Sequence, residues 1–169
     1  MKKGEAAKIA FGGVMAALAL VIMNLVGLVP VATFVCPLLT MMILQLVLRF
    51  CGCRIGWAWY GAVAILSVLL APDKEAAAFF VCLGYYPMLK PGLDRMKLGT
   101  AVKYLFFNAV ILLMYYVLIN LLGFDEIAKE FSELGMILTA LMLVMGNIIF
   151  FMLDKILGRL AIIEKWGRK

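Results

Sequence analysis

The sequence predicts an all-α integral membrane protein, a bundle of six transmembrane helices with both termini on the cytoplasmic side. Three observations predict it. Of the 169 residues 66% are hydrophobic and 15% charged, against roughly 45–50% and 25% in soluble domains, and mean hydropathy is +1.08. Apolar runs recur between breaks of Pro, Gly or charge. Lys and Arg gather in alternate connections, as the positive-inside rule requires. The 169 residues read as one membrane domain, which leaves no room within them for a separate aqueous catalytic domain.

The first span, about 9–28, follows Lys2, Lys3 and Lys8 in the manner of a signal peptide. Its apolar run is about twice an h-region and no Ala-x-Ala site follows, so a retained helix is expected. The second, about 31–48, opens after Pro30 and stops before Arg49; the third, about 55–71, lies between Arg54 and Pro72. The fourth, about 76–89, falls short of the roughly 20 residues needed to cross unaided. Tyr85, Tyr86 and Pro87 are expected to give it an interfacial end. The fifth spans about 101–122 and the sixth about 134–153. The remainder, 154–169, is a basic amphipathic tail with Trp166 near its end, suited to the anionic cytoplasmic leaflet.

Charge sets the orientation. The N-tail, the 49–54 turn, the 90–103 segment and the C-tail hold all of the 16 basic residues except Lys74 and Lys129. The intervening connections hold Asp73, Glu75, Asp125, Glu126, Glu130 and Glu133. The net charge of +6 therefore marks cytoplasmic flanks of a multi-pass protein rather than a nucleic-acid surface.

Several chemistries drop out. The absence of histidine excludes Ser–His proteolysis, zinc sites of the H-E-x-x-H kind, and haem or His-copper sites. No P-loop string occurs, so ATP use has to come from a partner. Among Cys36, Cys51, Cys53 and Cys82 only Cys51 and Cys53 are close in sequence, and two thiolates do not complete a tetrahedral zinc site. They read as reduced thiols at a helix boundary; neither metal, cofactor nor enzymatic activity is expected.

Three features point to function. In the first span Ala6, Ala10, Gly13, Ala17 and Asn24 share one face at about 100° per residue. Small residues so spaced admit a second helix closely, either inside the bundle or from another subunit. The fifth span carries Tyr104, Asn108 and Tyr115 on one stripe, flanked by Tyr116 and Asn120. Amides are costly in lipid, so the stripe should face the interior. Tyr115, Tyr116 and Asn120 fall in the outer half, at the depth of Asn24, Thr33, Ser67 and Thr139, which outlines a pocket open to the outside. Each residue taken alone also reads as a belt tyrosine or an interhelical hydrogen bond. Two outer connections border this depth: the 71–75 turn, where Lys74 and Glu75 either meet a charged substituent or are simply solvated, and 124–134, either a lid or an interfacial helix. Span six adds a Gly135, Thr139, Met142 and Gly146 seam.

In length, six spans, cytoplasmic termini and the first-span seam, the chain resembles the substrate-binding S components of energy-coupling factor transporters, bacterial and archaeal importers of vitamins and other trace nutrients. The motif involved is Ala-x-x-x-Ala. Here it is matched by Ala6-Ala7-Lys8-Ile9-Ala10 and by Gly13-Val14-Met15-Ala16-Ala17, the second departing with Gly at its first place. Pro72-Asp73-Lys74-Glu75-Ala76-Ala77-Ala78 and Gly84-Tyr85-Tyr86-Pro87 are similar to segments of small S-component-like proteins of Firmicutes. No complete riboflavin, thiamine, biotin or folate pattern is matched. The resemblance implies a small nutrient bound near the outer face, and docking through Ala6, Ala10, Gly13 and Ala17 to a transmembrane coupling subunit. Two ATPases supply the work, and the setting is the bacterial cytoplasmic membrane. A scaffold of the rod-shape MreD type, which resembles S components in fold but carries no solute, is the alternative. A CDP-alcohol phosphotransferase lacks its Asp-rich cytoplasmic cluster here, where the inner acids are Glu5, Asp94, Asp154 and Glu164.

Overall fold

The computed structural model describes residues 3–28, 32–96, 99–120 and 143–159, which are helical with short connections and contain no strand. The chain divides into two compact units, Met1–Arg95 and Met96–Lys169. The first holds α1 (Lys3–Asn24), a 3-10 turn at Leu25–Leu28, α2 (Ala32–Cys51), α3 (Cys53–Leu70), α4 (Lys74–Leu83) and α5 (Tyr86–Leu93). The second holds α6 (Gly99–Asn120) and a helical stretch over 143–159, α7. Within these, Glu5–Asn24, Thr33–Cys51, Cys53–Leu70 and Gly99–Leu118 are long and apolar enough to cross a membrane.

In unit 1, α2 is the hub, packed against α1, α3, α4 and α5. Met23, Met41, Leu44, Val47, Val63, Phe80 and Tyr86 are fully enclosed around it. Pro37 lies inside α2 and withholds the amide that would bond the Thr33 carbonyl. Thr40, also enclosed, returns its hydroxyl to the Cys36 carbonyl at 3.0 Å, the usual way a helix satisfies a buried threonine. Outward-facing positions are large and apolar, among them Val14, Ile65 and Leu69. This inverts the pattern of a soluble bundle and suits a lipid surround.

One residue links α2 to α3. Gly52 has φ 91°, a left-handed value that a side chain would resist, and this lets the two helices meet in a tight corner. Just beyond, Gly56 is buried against α2, where a β-carbon would run into the Leu48 side chain. Close backbone approach is the main packing device between helices in lipid.

The expected fourth span is not one helix. The run 76–89 is divided between α4, ten residues, and α5, eight residues, with a turn at Gly84 and Tyr85. The cause is local. Pro87 has no amide to continue the α4 ladder, yet fits the first turn of a new helix, where that amide is not needed. Apolar length alone could not register this. The amide missing at Pro87 is the one the Leu83 carbonyl would have bonded, while the Val81 carbonyl, in the last turn of α4, accepts a hydrogen bond from the Tyr60 hydroxyl of α3. Phe80 and Tyr85 pack on the Tyr60 ring with centroids at 5.8 and 5.9 Å.

Where a charged residue marked an expected boundary, the helix runs past it. α1 begins at Lys3 rather than 9, α2 runs past Arg49 to Cys51, α3 starts at Cys53, and α7 passes Asp154 to reach 159, beyond the expected end at 153. Charged residues end an apolar run but not a helical hydrogen-bond ladder. The start of the expected sixth span, the 124–134 connection and most of the 154–169 tail lie outside the described residues.

Candidate functional site

The polar residues at the predicted outer end of unit 1 form a hydrogen-bonded corner joining α2, α3 and α4. Asp73 is the N-cap of α4: its Oδ1 accepts the Glu75 and Ala76 amides at 2.8 and 3.2 Å. Its Oδ2 accepts the Thr33 hydroxyl of α2 at 2.8 Å. Lys74 folds back on the end of α3, its Nζ donating to the Val68 and Ala71 carbonyls at 2.9 and 3.1 Å. A cation there also complements the helix dipole. Glu75 is half-buried in the first turn of α4. Ser67, one turn from the end of α3, is completely enclosed, and its hydroxyl has no hydrogen-bond partner among the described residues. Asn24 at the end of α1 is exposed and donates to its own Leu20 carbonyl at 2.9 Å.

Asp73, which sequence reasoning left out of the candidate site, is therefore the centre of the corner that Thr33, Lys74 and Glu75 share. Its signal was present: an Asp directly before a helix-forming Lys-Glu-Ala-Ala-Ala run is an N-cap pattern.

The faces of α1 are used differently. Gly12, Ala19, Met23 and Val26 are buried, and Gly12 receives the Trp59 indole N–H of α3 on its carbonyl at 3.1 Å. About 140° round the helix, taking 100° per residue, Ala6, Ala10, Gly13 and Ala17 are all exposed. A β-carbon on Gly13 would meet no atom within 4 Å. Adjacent glycines thus serve opposite ends: one seats a tryptophan, the other leaves a smooth outer surface.

In unit 2, α6 and α7 are joined by two polar contacts. Asn108 and Asn147 exchange side-chain hydrogen bonds at 3.0 and 2.9 Å. Each also donates to a carbonyl one turn back in its own helix, Tyr104 and Leu143, at 2.8 Å. Lys103, buried, pairs with Asp154 at 3.2 Å. Between them Phe107 stacks on Phe150 at 4.5 Å, and Gly146 gives the Phe107 ring its space. The Tyr104–Asn108 part of the predicted stripe is thus engaged in helix pairing. Tyr115 is half-buried, whereas Tyr116 is 65% exposed, so the adjacent phenols occupy different faces of α6. α6 ends at Asn120, whose side chain lies outside the described residues, as does Thr139.

Asn24, Thr33, Ser67, Lys74 and Glu75 belong to unit 1, and Tyr115, Tyr116 and Asn120 to unit 2. Among the described residues no group of three or more Cys, Asp and Glu side chains is placed to hold a metal ion. Comparison with protein-family models, curated proteins and solved structures gave no match.

Proposed function

We propose that the protein is the solute-capturing S component of an energy-coupling factor importer, taking a small nutrient from outside and working with a coupling subunit and two ATPases. The observation that carries this reading is the division of labour on α1. A membrane helix whose buried side is already occupied by α2 and α3 keeps Ala6, Ala10, Gly13 and Ala17 exposed. Hydrophobicity does not drive helices together in lipid, so a smooth strip of small side chains is what a second transmembrane helix needs for close approach.

The same reading takes six crossings with both termini in the cytoplasm. α4 and α5 together make the fourth: ten and eight residues rise about 15 and 12 Å at 1.5 Å each, close to the roughly 30 Å hydrocarbon core. It assigns Thr33, Ser67, Lys74 and Glu75, with Asn24, Tyr115, Tyr116, Asn120 and Thr139, to the outer, solute-facing half. Ser67 supports this, since an enclosed hydroxyl with no hydrogen-bond partner among the described residues is suited to bonding a polar atom of a solute.

The deciding experiment is mass spectrometry of small molecules that copurify with the protein, followed by titration of the identified compound against thermal unfolding. Saturable stabilisation by a nutrient supports the importer. A protein that copurifies with no solute and is stabilised by none is a membrane scaffold, and the proposal fails.

A further inference from the structure

The corner between α2 and α3 carries a feature that solute capture does not use. Both helices are long and apolar enough to span a membrane, and Gly52 alone separates them. A one-residue link cannot rise away from the bilayer, so the residues around it are held in the headgroup layer. Arg49 and Arg54 sit there on either side of the turn, both exposed. Neither has a carboxylate within ion-pair distance among the described residues; the nearest acids along the chain in either direction are Glu5, in the first turn of α1, and Asp73, beyond the far end of α3. Arg49 lies over the Phe50 ring at 5.7 Å. Phe50 is 56% exposed and Trp57, one turn into α3, is 47% exposed; both rings suit the interface just beneath the phosphates. α3 begins without a side-chain cap or an acidic residue in its first turn, so its leading amides add to the positive field.

We infer that the Arg49–Arg54 corner binds the phosphate of one anionic phospholipid, with phosphatidylglycerol as the representative headgroup, in the leaflet that the basic flanks mark as cytoplasmic. Two guanidinium forks suit phosphate oxygens, and the aromatic side chains lie along the glycerol and upper acyl region. The site depends on the two helices spanning the membrane and not on any solute being carried.

The test is native mass spectrometry of the purified protein with added phosphatidylglycerol or phosphatidylcholine. Wild type should retain phosphatidylglycerol selectively. Arg49→Gln/Arg54→Gln should weaken retention about thirty-fold, on the scale of two charges at an anionic surface. Lys155→Gln/Arg159→Gln, which removes the same charge from exposed positions on α7, should leave it unchanged. Equal retention by the Arg49→Gln/Arg54→Gln variant and wild type overturns the site. So does an equal loss in the α7 variant, which would mean diffuse attraction, or equal retention of phosphatidylcholine. If the double glutamine variant of the corner does not fold, Arg49→Lys/Arg54→Lys keeps the charge and loses the forks; it should bind more weakly than wild type, and wild-type retention would overturn the inference.

Discussion

Replacing Asn147 by leucine tests how the second unit is held together. The Asn108–Asn147 exchange uses both amide hydrogens of each side chain, one on the facing asparagine and one on its own helix. Asn147→Leu removes both interhelical bonds at once. It leaves the Asn108 Oδ1 and one of its N–H groups facing an apolar neighbour. Interhelical side-chain bonds in membranes average about 0.6 kcal/mol and reach about 1.7, so losing two should cost about 1–3 kcal/mol. Adding Asn108→Leu removes the stranded amide, and the double variant should cost less than the two single losses combined, by about 1–2 kcal/mol. The assay is a double-mutant cycle of reversible unfolding in bicelles, followed by α6–α7 separation. Leu105→Ala, at a fully outward position of α6, serves as the neutral control. Additivity within about 0.5 kcal/mol would refute the reasoning, because the asparagines would then act on their own helices and not on each other.

Gly13→Leu and Ala17→Leu should leave the folded amount unchanged and abolish copurification of a coupling subunit, whereas Gly12→Leu should cost about 1–3 kcal/mol by crowding Ile55 of α3, which a β-carbon there would meet at 3.8 Å; pull-down and unfolding measured on the same preparations check this. Cys53 should react with an impermeant maleimide once the cytoplasmic face is opened, while Cys51, buried with its thiol on the Lys8 carbonyl at 3.3 Å, stays unlabelled until unfolding; labelling of Cys53 in intact cells reverses the orientation. Ser67→Ala removes a hydroxyl that bonds no group among the described residues, so unfolding should change by less than about 0.5 kcal/mol, while affinity for the identified solute falls. Unchanged affinity excludes Ser67 from the solute site.

The membrane class and the approximate positions of α1, α2, α3 and α6 were legible because apolar length is a property of consecutive residues. The break at Gly84 and Tyr85 was not, although Pro87 was in plain sight. A proline can kink a helix or start a new one, and the outcome rests on neighbours distant in sequence: Tyr60, 21 residues from Val81, takes up that carbonyl in the last turn of α4. The outer corner was half legible. Thr33 was chosen for its depth, and Lys74 and Glu75 for their charge in the outer turn, while Asp73, which bonds the Thr33 hydroxyl and the Glu75 amide, was passed over as a loop charge. The seam on α1 followed from spacing alone, which put Gly13 on it and Gly12 about 100° away; what spacing did not show is that the Gly12 carbonyl receives the Trp59 indole of α3.

In the proposed six-crossing topology, the division of one apolar run into α4 and α5 constrains the order in which the nascent chain enters the membrane. Neither ten nor eight residues is long enough for a translocon to release into lipid as an independent helix. Its exposed backbone ends would have to be desolvated without a partner. α1, α2 and α3 each satisfy their own amides and can leave the channel singly. α4 and α5 have to wait for a protein wall, provided by α2 along their length and by the Tyr60 hydroxyl at the break. On that topology biogenesis of the first unit is sequential: three helices partition first, and the pair enters afterwards against their surface.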